Sequence, residues 1–385
     1  MNLIALKMLV GDRAKYLGII MGLTFASLLI TQQAGIFYGL MSRTYGAIED
    51  LGGPDVWVMD QSVQFIDDVK PLKDTQVSRI RGIPGVEWAV PLYKGLIKAR
   101  LTDGTFQTCI VMGLDDATLI GGPPTMVKGS LSDLWQADTV IVDEFGAKDK
   151  LYHTGPDGRR IPLNVGDTVE LNDHRARVVG ICKNTRTFQS QPVVYTTYTR
   201  ALTFAPSERK MLSFVLVKAK PGVAPAALCR DIEAGQTNLS AYTQQGFENL
   251  TYNYYFKYTG IPINFGIAVG LGFLVGTAIA GQTFYNFTLD NLRHFGALKA
   301  MGASNVQLLK MILMQALLVG AIGYGLGVGI ASGMGWVLRN TELSFKLPGW
   351  LLFASAAAVL MICAVSSLVS ILKVIRLEPA VVFKS

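Results

Sequence analysis

Charged residues are absent from four long apolar stretches, and this pattern dominates the sequence. The stretches are 16–42, 258–289, 311–338 and 347–372. Each is longer than the about 20 apolar residues that a helix needs to cross about 30 Å of hydrocarbon. Because the backbone of a lipid-exposed segment must satisfy its own hydrogen bonds, each stretch is predicted to be an α-helix. The pattern therefore predicts four transmembrane helices.

Composition supports a membrane protein and excludes two other classes. Of the 385 residues, 50% are hydrophobic and 16% are charged, whereas soluble domains contain about 25% charged residues. A purely cytosolic enzyme is therefore not expected. A disordered chain is excluded as well, since disorder requires low hydrophobicity and high charge.

The basic residues predict the orientation in the membrane. Nine cations flank the ends of the helices on one side: Lys7, Arg13, Lys15, Arg293, Lys299, Lys310, Lys373, Arg376 and Lys384. They face only Asp12, Asp290 and Glu378, while the other short loop has Arg339 and Lys346 against Glu342. Short loops rich in Lys and Arg are cytoplasmic. Both termini are thus predicted to be cytoplasmic, and the net charge of +7 needs no nucleic-acid partner.

The resulting fold class is a polytopic α-helical membrane protein with a large α+β extracytoplasmic domain between helices 1 and 2. The predicted localisation is the plasma (inner) membrane, with 42–258 periplasmic or extracellular. The predicted divisions are a cytoplasmic segment (1–16), helix 1 (17–41), the outer domain (42–258), helix 2 (259–288), a cytoplasmic coupling helix (289–305), helix 3 (306–338), a short outer loop (339–348), helix 4 (349–372) and a cytoplasmic tail (373–385).

Aromatic residues cluster near the predicted outer interface. They are Tyr252, Tyr254, Tyr255, Phe256, Tyr258, Trp336 and Trp350. Amphipathic rings prefer the boundary between lipid and water, so an interfacial belt is expected. The alternative is that the Tyr cluster stacks on a ligand.

The outer domain alternates strand-like and helix-like segments. Strands are predicted at 56–59, 88–101, 106–113, 193–198 and 213–218, and helices from Pro71 to Arg81 and over 225–234. Turns at Asp103-Gly104 and Asn172-Asp173 predict hairpins. We expect two lobes, with 118–190 inserted into the first.

Motifs of catalysis are missing from the sequence. It contains no H-E-x-x-H, G-x-S-x-G or paired C-x-x-C motif, and no P-loop that would hold ATP phosphates. The four cysteines suggest no disulfide framework, and His153 and His174 are isolated. The acidic pairs at 67–68, 115–116 and 143–144 are expected to be solvated turns, with cation binding as the alternative. No catalytic, cofactor or metal residue is assigned.

The segment from Leu289 to Ser304 has the most specific pattern. Leu292, Phe295 and Leu298 recur every three residues, which predicts a short amphipathic helix. Ser304 and Gln307 form the pattern of a capping box that opens helix 3. Without further information this is an interfacial loop helix, which any polytopic protein can have.

This segment resembles the signature of MacB/FtsX-type ABC transporter permeases. The pattern R-x-x-G-x-L-K-A-x-G-A is present as Arg293, Gly296, Leu298, Lys299, Ala300, Gly302 and Ala303. The order of helices and outer domain and the terminal Leu377-Glu-Pro-Ala380 segment are also similar. Within the family, the chain looks most like DevC-type exporter permeases. His294 departs from the pattern, since the family usually has Glu there.

The resemblance implies a non-catalytic permease subunit that couples ATP hydrolysis by a separate ABC ATPase to movement of the outer domain (mechanotransmission). ATP and Mg would be bound by that ATPase, so no cofactor is expected in this chain. The other implied partners are a second copy of the chain, membrane lipid, a HlyD-type membrane fusion adaptor and an outer-membrane channel. The coupling residues it implies are Leu292, Arg293, Phe295, Gly296, Leu298, Lys299 and Gly302. Of these, Phe295 and Leu298 are expected to anchor the helix in a cleft of the ATPase.

Small residues predict close helix packing. Gly323, Gly327, Gly329 and Gly333 recur in helix 3, and Gly266 and Gly270 in helix 2. Glycines at such spacings allow helices to approach closely in lipid.

Two other functions remain open: a lipoprotein-releasing or FtsX-like permease that activates a cell-wall hydrolase, and, in another class, a membrane-anchored receptor that does not transport.

Overall fold

The computed structural model describes residues 2–155, 159–207, 210–338, 341 and 343–375. Arg339, Glu342, Arg376, Lys384 and the segment 377–380, which entered the predictions above, lie outside these residues. The chain forms two compact units, a membrane unit of residues 1–40 and 260–385 and an outer domain of residues 41–259.

Helices account for all of the regular structure in the described part of the membrane unit. The α-helices of the described chain are α1 (Asn2–Gly11), α2 (Arg13–Thr44), α3 (Gly46–Asp50), α4 (Thr75–Arg81), α5 (Tyr198–Phe204), α6 (Pro225–Gly235), α7 (Gln244–Tyr258), α8 (Ile261–Asp290), α9 (Leu292–Ala300), α10 (Asn305–Leu338) and α11 (Gly349–Ile375). Four of them, α2, α8, α10 and α11, are long and apolar enough to cross a membrane. The predicted fold class is confirmed.

The outer domain is built on strands. They are β1 (Val56–Asp60), β2 (Val86–Arg100), β3 (Phe106–Leu114), β4 (Thr125–Lys128), β5 (Thr139–Asp143), β6 (Tyr152–Thr154), β7 (Arg160–Pro162), β8 (Thr168–Leu171), β9 (His174–Lys183), β10 (Val193–Thr197), β11 (Phe214–Ala219) and β12 (Leu239–Thr243). Ten of them form one sheet in the order β12-β1-β11-β2-β3-β10-β5-β9-β4, with β8 beside β2 and β9.

Both predicted hairpins are present. Gly104 has φ of 82°, and β2 pairs with β3 in antiparallel register across this turn. Asn172 and Asp173 have φ of 48° and 63° between β8 and β9. Such left-handed pairs suit Asn and Asp, whose short polar side chains tolerate this region.

The expected insertion of 118–190 as a separate lobe differs from the observed topology. Four strands of that segment (β4, β5, β8 and β9) join the same sheet, since β5 pairs with β10 in antiparallel fashion and β10 pairs with β3 in parallel. Only β6 and β7 form a separate two-stranded sheet among the described residues. Residues before and after the segment, such as Ile97 and Phe204, share a buried cluster with Val140. Long-range strand pairing, which local pattern does not encode, explains the difference.

Two further expectations about the outer domain are corrected. Tyr255 is only 8% exposed, and its ring contacts Phe65 within the domain, so it does not belong to an interfacial belt. Asp143 is 3% exposed and accepts hydrogen bonds from the backbone N–H groups of Gly146 and Val193, at 2.9 and 2.7 Å. It is a buried carboxylate, not a solvated turn, and burial raises its pKa to about 6.

Candidate functional site

Helix α9, the connection between α8 and α10, is amphipathic as the sequence predicts. Phe295 is fully buried and Leu298 is 9% exposed, and Gly296 beside them is also buried. Arg293 and His294 are exposed, and Leu292 is half-buried. The result is a nine-residue helix with one buried stripe and one solvent-exposed face.

The buried stripe of α9 packs against helices of the same chain. Phe295 and Leu298 share a cluster with residues of α1, α10 and α11, namely Ala5, Leu308, Met311, Ile312, Ile371 and Val374. This corrects the expectation that Phe295 and Leu298 reach into a cleft of an ATPase, because both side chains are already covered. They pack α9 against the other helices of the membrane unit.

Residues on the opposite face of α9 are available to a partner. This face consists of Arg293, His294, Ala297 and Ala300, and it continues to Met301, which is 76% exposed. An exposed Arg and an exposed, flexible Met on one surface are suited to a protein contact, since both residue types are enriched at interfaces. Sequence analysis missed Met301, although it occupies the variable position before Gly302 in the R-x-x-G-x-L-K-A-x-G-A pattern.

Gly302 forms the corner between α9 and α10. Its φ is 96°, a left-handed conformation that favours glycine, and the N–H of Ala303 donates to the carbonyl of Leu298 at 3.0 Å. This is a Schellman ending. Immediately after it, Ser304 and Gln307 exchange hydrogen bonds at 2.9 and 3.3 Å. The predicted capping box is confirmed, so the corner is fixed from both sides.

Lys299 ties the end of α9 to α11. Its ammonium donates to the carbonyl of Ile375 at 3.0 Å, in the last turn of the described helix. Positive charge is favourable there because the carbonyl end of a helix carries partial negative charge. Lys299 therefore contributes to the position of α9 within the chain.

Helix α1 is an element that sequence analysis missed. The prediction treated 1–16 only as a cytoplasmic segment, yet Ala5 and Leu9 are fully buried. The Gln315 side chain of α10 donates to the carbonyl of Ala5 at 2.7 Å. The apolar residues of 3–10 were the available signal, but ten residues are too few to give a decisive period.

The glycines predicted for helix packing divide into two groups. A Cβ at Gly323 would lie 2.7 Å from Cβ of Leu23, and one at Gly327 would lie 2.6 Å from Cβ of Ser27. These two glycines therefore permit close contact between α10 and α2. The other four have no neighbouring atom within 4 Å of such a Cβ: Gly266, Gly270, Gly329 and Gly333. They do not mediate packing against any residue that the structure describes.

Two family models match the chain. Residues 16–234 match the MacB-like periplasmic core domain, and residues 266–379 match the FtsX-like permease C-terminal domain. The architecture is that of the permease subunits of ABC transporters. It has four membrane helices, an α/β domain after the first helix, and a short helix between the second and third. The chain belongs to the MacB/FtsX family of these permeases.

Individual relatives are distant in sequence. An uncharacterized ABC transporter permease from Mycobacterium tuberculosis is 24% identical over 95% of this chain and 93% of the relative. The periplasmic region of MacB from Actinobacillus actinomycetemcomitans aligns at 17% identity with a TM-score of 0.38, over 54% of this chain and 96% of that structure. The extracellular domain of YknZ from Gram-positive bacteria aligns at 12% identity with a TM-score of 0.35, over 49% and 99%.

Proposed function

We propose that the chain is the membrane subunit of an ABC exporter, which converts ATP hydrolysis by a separate ATPase into movement of its outer domain. The single observation that supports this most is the two-sided character of α9. One face is fixed by Phe295 and Leu298 in the protein's own core, and the other exposes Arg293 and Met301. A helix held in this way can receive force from a partner and pass it to α10.

The rigid corner at Gly302 supports the same proposal. A flexible loop between α9 and α10 would absorb a displacement, whereas a Schellman ending followed by a capping box leaves few free dihedral angles. Lys299 adds a third connection, to α11. Displacement of α9 would then move both helices together.

The remaining partners follow from this function. ATP and Mg are bound by the ATPase in this proposal. A second copy of the chain is favoured by Gly266 and Gly270, which expose backbone on α8 and leave room for another helix. A HlyD-type adaptor and an outer-membrane channel complete the proposed exporter.

Charge reversal on the exposed face of α9 tests the coupling proposal. We expect Arg293→Glu to weaken association with the ATPase at least about tenfold, or about 1.4 kcal/mol, because the side chain is exposed toward a partner. Lys310→Glu is the matched control, since Lys310 is also exposed but lies on α10. Co-purification and ATP hydrolysis are measured with the ATPase present. Equal effects of the two reversals would contradict a specific role for α9.

The proposed orientation, with both termini cytoplasmic, is tested by thiol labelling. Ser130 and Ser304 are both exposed, and the four cysteines are all buried. In intact spheroplasts, a membrane-impermeant maleimide should label Ser130→Cys and leave Ser304→Cys unmodified until the membrane is opened. The reverse pattern would place the outer domain in the cytoplasm and remove the basis of the proposal.

A further inference from the structure

A cavity of about 520 Å³ lies in the outer domain beside the middle of β2. Its origin is an interruption in strand pairing. Along one of its edges, β2 pairs with β11 as far as Leu92 and then with β8 from Ala99 onward. Between them the Ser213 hydroxyl hydrogen-bonds both the N–H and the carbonyl of Lys94, at 2.9 and 3.2 Å. The volume is in the range of small-molecule sites, about 300–1,000 Å³.

Aromatic rings form one wall of the cavity. Phe188 and Tyr255 lie 4.9 Å apart by their ring centroids, and Phe65 and Tyr255 lie 5.5 Å apart at nearly a right angle. Tyr255 belongs to α7 and is held in place by burial. Preformed rings of this kind bind apolar and ring-containing groups with little loss of entropy.

An ion pair between a buried lysine and an exposed aspartate forms the polar part of the lining. The Lys94 side chain is 4% exposed, and its ammonium pairs with the Asp67 carboxylate, whose side chain is 41% exposed. An ammonium has three N–H donors, and this pair uses one of them. Burial, together with the Asp67 carboxylate, raises the pKa of Tyr255, so its hydroxyl stays protonated as a donor.

The charges of the lining cancel. Lys94 and Asp67 are its only charged residues among the described positions, and its other polar side chains include Thr187, Gln189 and Gln191, which are neutral. A ligand with a net charge would lose hydration on entry without a counter-charge to compensate. A ligand with no net charge can accept from Lys94 and donate to Asp67 at the same time.

We propose that this cavity is a binding site for an amphipathic small molecule with no net charge. Its ring-containing apolar body lies against Phe65, Phe188 and Tyr255, and its uncharged or zwitterionic head hydrogen-bonds the Lys94–Asp67 pair. The site is distinct from α9 and goes beyond the coupling function. Tyr255 is near the end of α7, six positions before α8 begins, so the ligand contacts the segment that leads directly into a membrane helix.

Protection of an introduced thiol tests the site in the full-length chain in lipid nanodiscs. Leu96 lines the cavity and is 45% exposed, whereas Val127 is 47% exposed and does not line it. Leu96→Cys is the reporter, and Val127→Cys is the matched control. The rate of maleimide labelling is measured with four probes that share a naphthyl body: 2-naphthyl β-D-glucopyranoside, 3-(2-naphthyl)alanine, 2-naphthyl phosphate and 2-naphthylmethylamine.

We expect the glucoside and the zwitterionic amino acid to slow labelling of Leu96→Cys, by about tenfold at about ten times Kd. Neither should slow labelling of Val127→Cys. No saturable protection by any probe, or equal protection at both positions, would overturn the site. Stronger protection by the phosphate or the amine would overturn the assignment of a ligand without net charge.

Two substitutions in the Leu96→Cys chain test the role of the ion pair. Lys94→Met leaves Asp67 as the charged group, so the preferred probe should change to 2-naphthylmethylamine. Asp67→Asn leaves Lys94 as the charged group, so the preferred probe should change to 2-naphthyl phosphate. This second variant provides the test if the Lys94→Met chain does not fold. If a folded variant keeps the same order of protection by the four probes, the Lys94–Asp67 pair does not contact the head group of the ligand. Since the assay contains no ATPase, its failure would leave the coupling proposal intact.

Discussion

Replacement of Phe295 by alanine is expected to lower the free energy of unfolding of the membrane unit by about 3–5 kcal/mol, the usual cost of emptying a buried phenylalanine site. Phe295 is fully buried among residues of α1, α10 and α11, so truncation leaves a cavity that these helices cannot easily close. Thermal unfolding of the purified chain in nanodiscs, followed by circular dichroism or tryptophan fluorescence, measures the loss.

Met301→Ala is the matched control for this prediction. Because Met301 is 76% exposed, the substitution should change stability by no more than about 0.5 kcal/mol. In the proposed exporter it should instead weaken association with the ATPase. A Phe295→Ala chain that keeps its stability but loses the ATPase would show that Phe295 is a surface anchor after all.

The second large effect is expected at Gly327. A Cβ there would lie 2.6 Å from Cβ of Ser27 and 2.8 Å from the backbone nitrogen of Leu28. Since backbone atoms cannot turn away, Gly327→Val must separate α10 from α2. The expected cost is at least the about 1–3 kcal/mol typical of overpacking, seen as a lower unfolding temperature and a smaller yield of folded protein.

Gly329 provides a control two positions away on the same helix. No atom of another described element lies within 4 Å of a Cβ at Gly329, so Gly329→Val should insert and unfold like the unsubstituted chain. Its helix propensity and apolar character are the same as those of the Gly327 variant, and only the neighbour differs. Equal destabilisation by both variants would argue against the observed contact of α10 with α2.

Much of the fold was predictable because its signals are local. A charge-free stretch longer than the hydrocarbon core has few alternatives to a membrane helix, and Asp103-Gly104 or Asn172-Asp173 favours a tight turn wherever the chain places it. The capping box of Ser304 and Gln307 is similarly local, since both partners are three positions apart.

The parts that the sequence did not predict depend on what covers a given side chain. A three-residue period showed that Phe295 and Leu298 share a face, but the period is the same whether that face meets a partner or the chain's own helices. The Tyr-rich segment had the same ambiguity, because a ring can lie at an interface or in a domain core. For Asp143, two backbone N–H groups make burial tolerable, one from the nearby Gly146 and one from Val193, 50 positions away. No local pattern indicates the second of these.

Strand β2 has a consequence for the way the outer domain unfolds. It contributes Ala89, Leu92 and Ile97 to three different buried clusters. None of these clusters can melt without freeing part of the same strand, so we expect the outer domain to open in a single cooperative event. The amide hydrogens that β2 donates to β11 and β3 should therefore exchange with deuterium at one common rate. A domain that opens only as a whole transmits an applied force from one end to the other without yielding locally.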